Sequence, residues 1–172
     1  MKKLLILLVI LPQITWAKSN TEKIGDFLTF AIPAVAYGST FYMDDAEGRE
    51  EFYWVYGTTM VSTVALKYTI RAKRPDNDDR DSFPSGHTSS AMSGATFIHK
   101  RYGFEYAIAA YIGAVYTGYS RIQVNRHHTR DVVAGALLGA VSAWYFTTPY
   151  ENLRIEPVLD GEYKGVQVKY RF

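Results

Sequence analysis

Between Pro84 and Thr147 this 172-residue chain places Ser89, Ser90, Ala91, Ser93, Gly94 and Ala95, then Gly103, Gly113, Gly118, Gly135 and Gly139. Small residues at that density, inside segments long enough to be helices, leave little bulk to hold neighbouring backbones apart. The helices must therefore lie close together, as they do in membranes and in tight bundles.

Five helical segments are expected. The first runs from about Ile24 to Met43, with Phe27, Phe30, Ala31 and Ala34 at helical spacing around a kink at Pro33. A charged loop, Asp44 to Glu51, separates it from Phe52 to about Ala72, which Pro75 stops near Arg74. Asp76 to Phe83 reads as loop. The third segment starts at Pro84 or Ser85 and reaches about Lys100, the fourth covers Phe104 to about Ser120, and the fifth His127 to Thr147. Leu153 to Leu159 and Gly165 to Phe172 have strand composition around a turn at Asp160-Gly161. The expectation is an all-α fold, a compact bundle of about five to six helices over residues 18–150, with a short C-terminal β-hairpin over 151–172 packed on it.

Residues 1–17 are set apart. Lys2 and Lys3, the apolar run Leu4 to Leu11 and the small-x-small triplet Thr15-Trp16-Ala17 read as an export signal, the run being short for a span and interrupted by Pro12. Without it, basic and acidic side chains balance at 17 each, which argues against nucleic acid as a partner. The chain has no cysteine, so disulfides, thiolate catalysis and thiolate metal sites are excluded. A periplasmic location follows as the expectation. Val132 to Tyr150 carries no charge until Glu151, yet mean hydropathy over the chain is only −0.12. This favours a soluble or membrane-apposed bundle over a polytopic one.

Three stretches carry chemistry. Lys67 and Arg74 lie seven apart, two turns along one helical face with Arg71 between them, and such cations stabilise the charge of a phosphoryl group in transfer. Pro84-Ser85-Gly86-His87 opens a helix, so main-chain N–H groups near Ser85 and Gly86, with the Ser85 hydroxyl, face an anion, and Gly86 leaves room for it. Ser120-Arg121 is followed by His127 and Asp131; the last two are i and i+4, so Asp131 orients the ring and leaves one nitrogen as a nucleophile. Two histidines then divide the labour, His127 attacking phosphorus and His87 protonating the leaving oxygen.

In order and spacing (Lys-x6-Arg-Pro, Pro-Ser-Gly-His, Ser-Arg-x5-His-x3-Asp) these stretches resemble the type 2 phosphatidic acid phosphatase superfamily, which also holds bacterial acid phosphatases and vanadium haloperoxidases. The resemblance covers roughly Phe27 to Thr147. It implies a metal-independent phosphatase acting on a phosphate monoester or a lipid (pyro)phosphate. His127 would form the phosphohistidine, His87 would be the general acid, Asp131 the partner of His127, and Lys67, Arg74, Ser85, Gly86 and Arg121 the phosphate ligands. No cofactor is implied, and vanadate is expected to act as an inhibitor or phosphate analogue. Substrates would be phosphorylated lipids or small molecules.

Other residues are left aside. His128 reads as a neighbour of the site or surface, His99 as packing or surface, and Asp76, Asp78, Asp79 and Asp81 as a solvated acidic turn without the glycine and distal Glu of a calcium loop. A zinc site built on the histidines and Asp131 is opposed by the nearby cations. Two alternatives stay open, a vanadium-dependent haloperoxidase and a non-enzymatic envelope-binding protein.

Overall fold

The computed structural model describes the backbone of residues 2–77, 79–150, 153–160 and 163–170, and side chains of residues 20–77 and 79–150. Among them are five helices: α1 (Lys2–Tyr42), α2 (Ala46–Ile70), α3 (Gly86–Tyr102), α4 (Phe104–Gln123) and α5 (Thr129–Phe146). The fold is all-α. Beyond the helices the backbone of β1 (Leu153–Asp160) pairs antiparallel with β2 (Tyr163–Tyr170). The expected turn at Gly161 and the packing of this tail on the bundle lie outside the described residues, as do Asp78 and the side chains of the expected export signal.

Several boundaries differ from expectation for local reasons. α1 continues through Pro33, and α3 lies against that proline, since a Cβ on Gly94 would sit 2.9 Å from Pro33 Cα. α2 begins before Phe52, because the Asp45 side chain accepts the Gly48 N–H at 3.0 Å and caps it, drawing most of the expected loop into the first turn. It ends at Ile70, with Arg71 left-handed (φ 50°) and its N–H on the Lys67 carbonyl. Arg71 and Arg74 therefore do not continue the Lys67 stripe: Pro75 keeps Arg74 out of the helical region, and the chain turns back first. α5 starts two residues after His127, with His128 at its N-cap.

α3 runs through the middle and touches the other four helices. Its approach to α5 is the tightest. A Cβ on Gly135 would fall 2.4 Å from the Ser85 carbonyl oxygen, and one on Gly139 2.4 Å from that of Ser89 and 2.8 Å from the Ser93 nitrogen. The interior is correspondingly fine-grained: Ala36, Ala91, Ala95, Ala107, Ala114 and Ala143 are buried along with Thr59, Thr63, Ser89, Ser90, Ser93 and Thr117. The hydroxyls are satisfied nearby, Thr59 on the Val55 carbonyl (2.7 Å), Ser93 on the Ser90 carbonyl (2.8 Å) and Thr63 with Ser89 (2.9 Å), which offsets the cost of burying them. Bulk is turned outward: Phe27, Phe30, Tyr53, Trp54, Val61, Ile112, Leu137 and Tyr145 are all exposed. Among the described residues no helix is long and apolar enough to cross a membrane.

A buried ionic network closes one end of the bundle. Arg101 is 2 % exposed. Its fork donates to Asp45 at 2.6 and 2.7 Å, to Glu47 at 3.2 Å and to the Thr148 carbonyl at 3.0 Å, with Glu51 at 3.3 Å. This ties the α1–α2 connection to the end of α3 and the chain leaving α5. Removing one partner of such a group strands buried charge. Arg101→Met is expected to lower stability by about 3–5 kcal/mol, read as a fall in thermal unfolding midpoint; an unchanged midpoint would show the network to be dispensable.

Candidate active site

The other end of the bundle gathers the candidate residues. α1 brings Glu22 and Asp26, α2 ends near Lys67, α3 begins at Gly86, α4 ends near Arg121 and α5 begins just after His127. A cavity of about 230 Å³ there is lined by Glu22, Asp26, Arg74, His87, Arg121, Arg126 and His127. Four residues expected from sequence thus meet on one cavity although they come from four separate segments. The space suits a phosphoryl group and is small for a whole ligand.

Lys67, Ser85, Gly86 and Asp131 are set around this group. The Lys67 ammonium donates to the Asp81 carbonyl and lines an adjoining cavity with Arg71, Asp79 and Asp81. The Ser85 N–H is taken by the Asp131 carbonyl at 2.9 Å, and its buried hydroxyl meets Thr88 Oγ1 at 3.0 Å. The expected Ser85 main-chain donor is therefore spent on holding α3 to α5, and the helix presents its Gly86 end. A Cβ on Gly86 would be only in ordinary contact, 3.6 Å from Thr63 Cγ2 and 3.9 Å from Lys67 Cε, so packing alone does not require glycine there.

The expected direct His127–Asp131 bond is replaced by a relay. Because His127 precedes α5, the helical i, i+4 geometry does not apply. Ser82 Oγ donates to Asp131 Oδ2 at 2.6 Å and lies 3.4 Å from His127 Nδ1. With its proton given to Asp131, the Ser82 oxygen is left to accept from Nδ1–H, which leaves the lone pair on Nε2. Asp131 Oδ2 also accepts from the His128 N–H at 3.0 Å and lies 3.2 Å from His128 Nδ1, while Oδ1 is buried without a hydrogen bond. Burial would raise the Asp131 carboxyl, but the Ser82 and His128 hydrogen bonds hold it below the usual range.

Electrostatics separate the two histidines from free imidazole. Burial first, then the charges of Lys67 and Arg74, push His127 down to about 4, against a smaller upward pull from Ser82 and Asp131. His87 is lowered by burial and by Arg121, with Asp26 pulling the other way. Lys67 is itself lowered by burial.

Sequence reasoning missed the acidic half of the site. The described part of the acidic turn is solvent-exposed as expected, but Asp81, half-exposed at its end, is also engaged: it accepts from Arg74 Nε at 2.6 Å and Nη2 at 3.0 Å, a bidentate grip. Asp76 meets Arg126 at 3.1 Å. From α1, Asp26 Oδ1 lies 2.7 Å from Arg121 Nη1 and 3.1 Å from His87 Nε2, while Glu22 meets Arg126 at 3.1 Å. A signal existed for the first motif alone, the four Asp between Arg74 and Ser82; no acid lies near Ser120-Arg121 in the sequence. His128 contacts Asp131 from the helix cap, and His99 packs against Phe104, Tyr111 and Trp144.

The sequence profile of the PAP2 superfamily matches residues 76–154. The lipid A 4'-phosphatase of Helicobacter pylori is 31% identical over 157 residues, covering 84% of this chain and 79% of that protein. The lipid A 1-phosphatase of Porphyromonas gingivalis is 45% identical over 78 residues, 44% of this chain, and the matched part spans only 18% of that longer relative. Phosphatidylglycerophosphatase B of Bacillus subtilis is 31% identical over 131 residues, 67% of this chain and 64% of its own length. Among solved structures, Aquifex aeolicus LpxE shares the fold at a TM-score of 0.65 and 20% identity, over 76% of this chain and 85% of that one. Motif order, helical architecture and the length of the Helicobacter match agree, and the chain belongs to the PAP2 superfamily.

Proposed function

We propose that this chain is a metal-independent phosphatase that hydrolyses a phosphorylated lipid or small phosphate monoester through a covalent phosphohistidine on His127. The observation that carries this reading is the single cavity on which Arg74, His87, Arg121 and His127 converge. Arg74 and Arg121, with Lys67 and the Gly86 end of α3, form an electrostatic cradle for the equatorial oxygens. His127 attacks phosphorus through Nε2, and the Ser82–Asp131 relay orients its ring and stabilises the charge that develops. His87 gives its proton to the leaving oxygen, then takes one from the water that releases phosphate. Vanadate, as a phosphate analogue, would occupy the same cradle.

Trapping labelled phosphate during a short substrate exposure is expected to label the wild-type chain and leave His127→Ala unlabelled. Equal labelling of both would remove His127 as nucleophile.

The pH profile follows from the two shifts. His127 attacks only when neutral, so activity is present above about 4 and lost as pH falls through that value. His87 must be protonated, so activity falls as pH rises through a value below its ordinary 6.5. The expected kcat/KM profile is a bell on the acid side of neutrality, and Lys67→Met, by removing a cation beside His127, moves the acid limb upward. A maximum above neutrality would contradict these assignments.

A lipid substrate is supported by the relatives and by the surface. An apolar groove of about 420 Å³ between α1 and α2, lined by Phe30, Pro33, Ala34, Tyr37, Phe52 and Tyr56 among others, begins one helical turn beyond Asp26. The outward Phe, Trp and Leu side chains present apolar surface of the kind that seats against a membrane. Export to the periplasm by residues 1–17 belongs to the same reading. The full chain is expected to co-float with phosphatidylcholine vesicles; a monodisperse, detergent-free protein that stays in the dense fraction would overturn membrane contact.

A further inference from the structure

The turn of α1 from Glu22 to Asp26 holds Arg121 by two hydrogen bonds and a close backbone approach. Arg121 Nη1 donates to Asp26 Oδ1 at 2.7 Å and Nη2 to the Glu22 carbonyl at 2.8 Å. Gly25 lies so close that an added Cβ would fall 2.6 Å from Arg121 Nη2 and 2.0 Å from Ser120 Oγ. The same Asp26 oxygen that takes the Arg121 proton lies 3.1 Å from His87 Nε2. One carboxylate oxygen therefore joins a proposed phosphate ligand on α4 to the proposed proton donor on α3. None of the three motifs includes a residue of α1.

We propose that Asp26 is a positioning residue for the general acid, holding the His87 ring at the cavity with a proton on Nε2 and tying it to Arg121. The inference rests on the phosphohistidine reading given above. The charged groups around His87 explain why such a residue is needed. Arg121 from α4 and Arg74 from the α2–α3 connection oppose an imidazolium, as does burial, and Asp26 from α1 favours it. Glu22, Arg126 and His127 line the same cavity, with Glu22 and Arg126 engaged with each other.

In the first half-reaction His127 Nε2 bonds to phosphorus and the P–O ester bond breaks. The ester oxygen keeps the bonding pair and, displacing Asp26 from Nε2, takes the Nε2 proton of His87, which is left neutral while Asp26 stays on Arg121. In the second, water attacks phosphorus, the P–N bond breaks with its pair returning to His127, and His87 takes the proton of the water. Without Asp26 the ring would lose its tether and hold its proton less well at the start of each cycle.

Leaving-group dependence of kcat/KM, which reports the step up to ester cleavage, tests the role in the full chain. An alkyl phosphate needs the proton and p-nitrophenyl phosphate does not. Asp26→Asn is expected to lose about 10–100-fold on the alkyl ester and only a few-fold on the nitrophenyl ester, with the alkaline limb of the pH profile moved down. Asp26→Glu, which keeps the charge, is expected to restore part of the loss, and it decides the matter if Asp26→Asn does not fold. Equal losses on both esters, or tighter vanadate binding with undiminished turnover, would overturn the proposal, the latter by showing that the carboxylate merely occupies the phosphate seat. A wild-type chain with neither turnover nor label on His127 would instead overturn the phosphatase reading itself and this role with it.

Discussion

The close approach of α3 and α5 is the constraint on which the site depends. Gly135 and Gly139 lie against the Ser85 and Ser89 carbonyls with no room for a Cβ, and the Ser85 N–H reaches the Asp131 carbonyl at 2.9 Å. That contact brings the start of α3, with Gly86 and His87, alongside the start of α5, with His127 and Asp131. Larger side chains along this seam would move the two histidines apart, and sub-ångström placement governs whether groups of this kind act on one atom. The small residues therefore set where the two histidines stand as well as how the helices pack.

Charge is balanced separately at the two ends of the bundle. α3 is 17 residues long, about 25 Å at 1.5 Å per residue, and carries the Arg101 network at one end and the candidate site at the other. Arg101 is enclosed and matched by Asp45, Glu47 and Glu51, an arrangement suited to fixing where elements meet. At the other end the cations Arg74, Arg121 and Arg126 face carboxylates from the α2–α3 connection and from α1, but they still border open space.

Much of the bulk faces outward, beside a buried cluster that includes Phe52, Val55, Phe97 and Ile98. Alanine, serine and threonine fill much of the interior, while Phe27, Phe30, Trp54, Leu137 and Tyr145 are exposed. Interiors of this kind gain dispersion contacts from backbone proximity and hydrogen bonds from hydroxyls that bond within their own helix or to the next, as Thr63 does with Ser89 and Ser90 with the Thr29 carbonyl.

The motifs, their order and the helical pattern were legible in the chain alone, because residue type and spacing report local chemistry and periodicity directly. Lys67, Arg74, His87, Arg121, His127 and Asp131 could be named, and tight helix packing inferred from the glycines, without any structure. The geometry between them was not legible. Arg71 and His127 sit outside the helices assumed for them, since the Arg71 cap and the His128 N-cap are set by how the chain must turn at Pro75 and where α5 meets α3. Ser82 and Asp81 lay in a stretch whose composition resembles any solvated loop, and Asp26 is 95 positions from Arg121. Sequence determined which groups are present and what chemistry they suit. Only the tertiary structure decided which carboxylate meets which cation, because those pairings form between segments that the fold, rather than the local pattern, brings within hydrogen-bond distance.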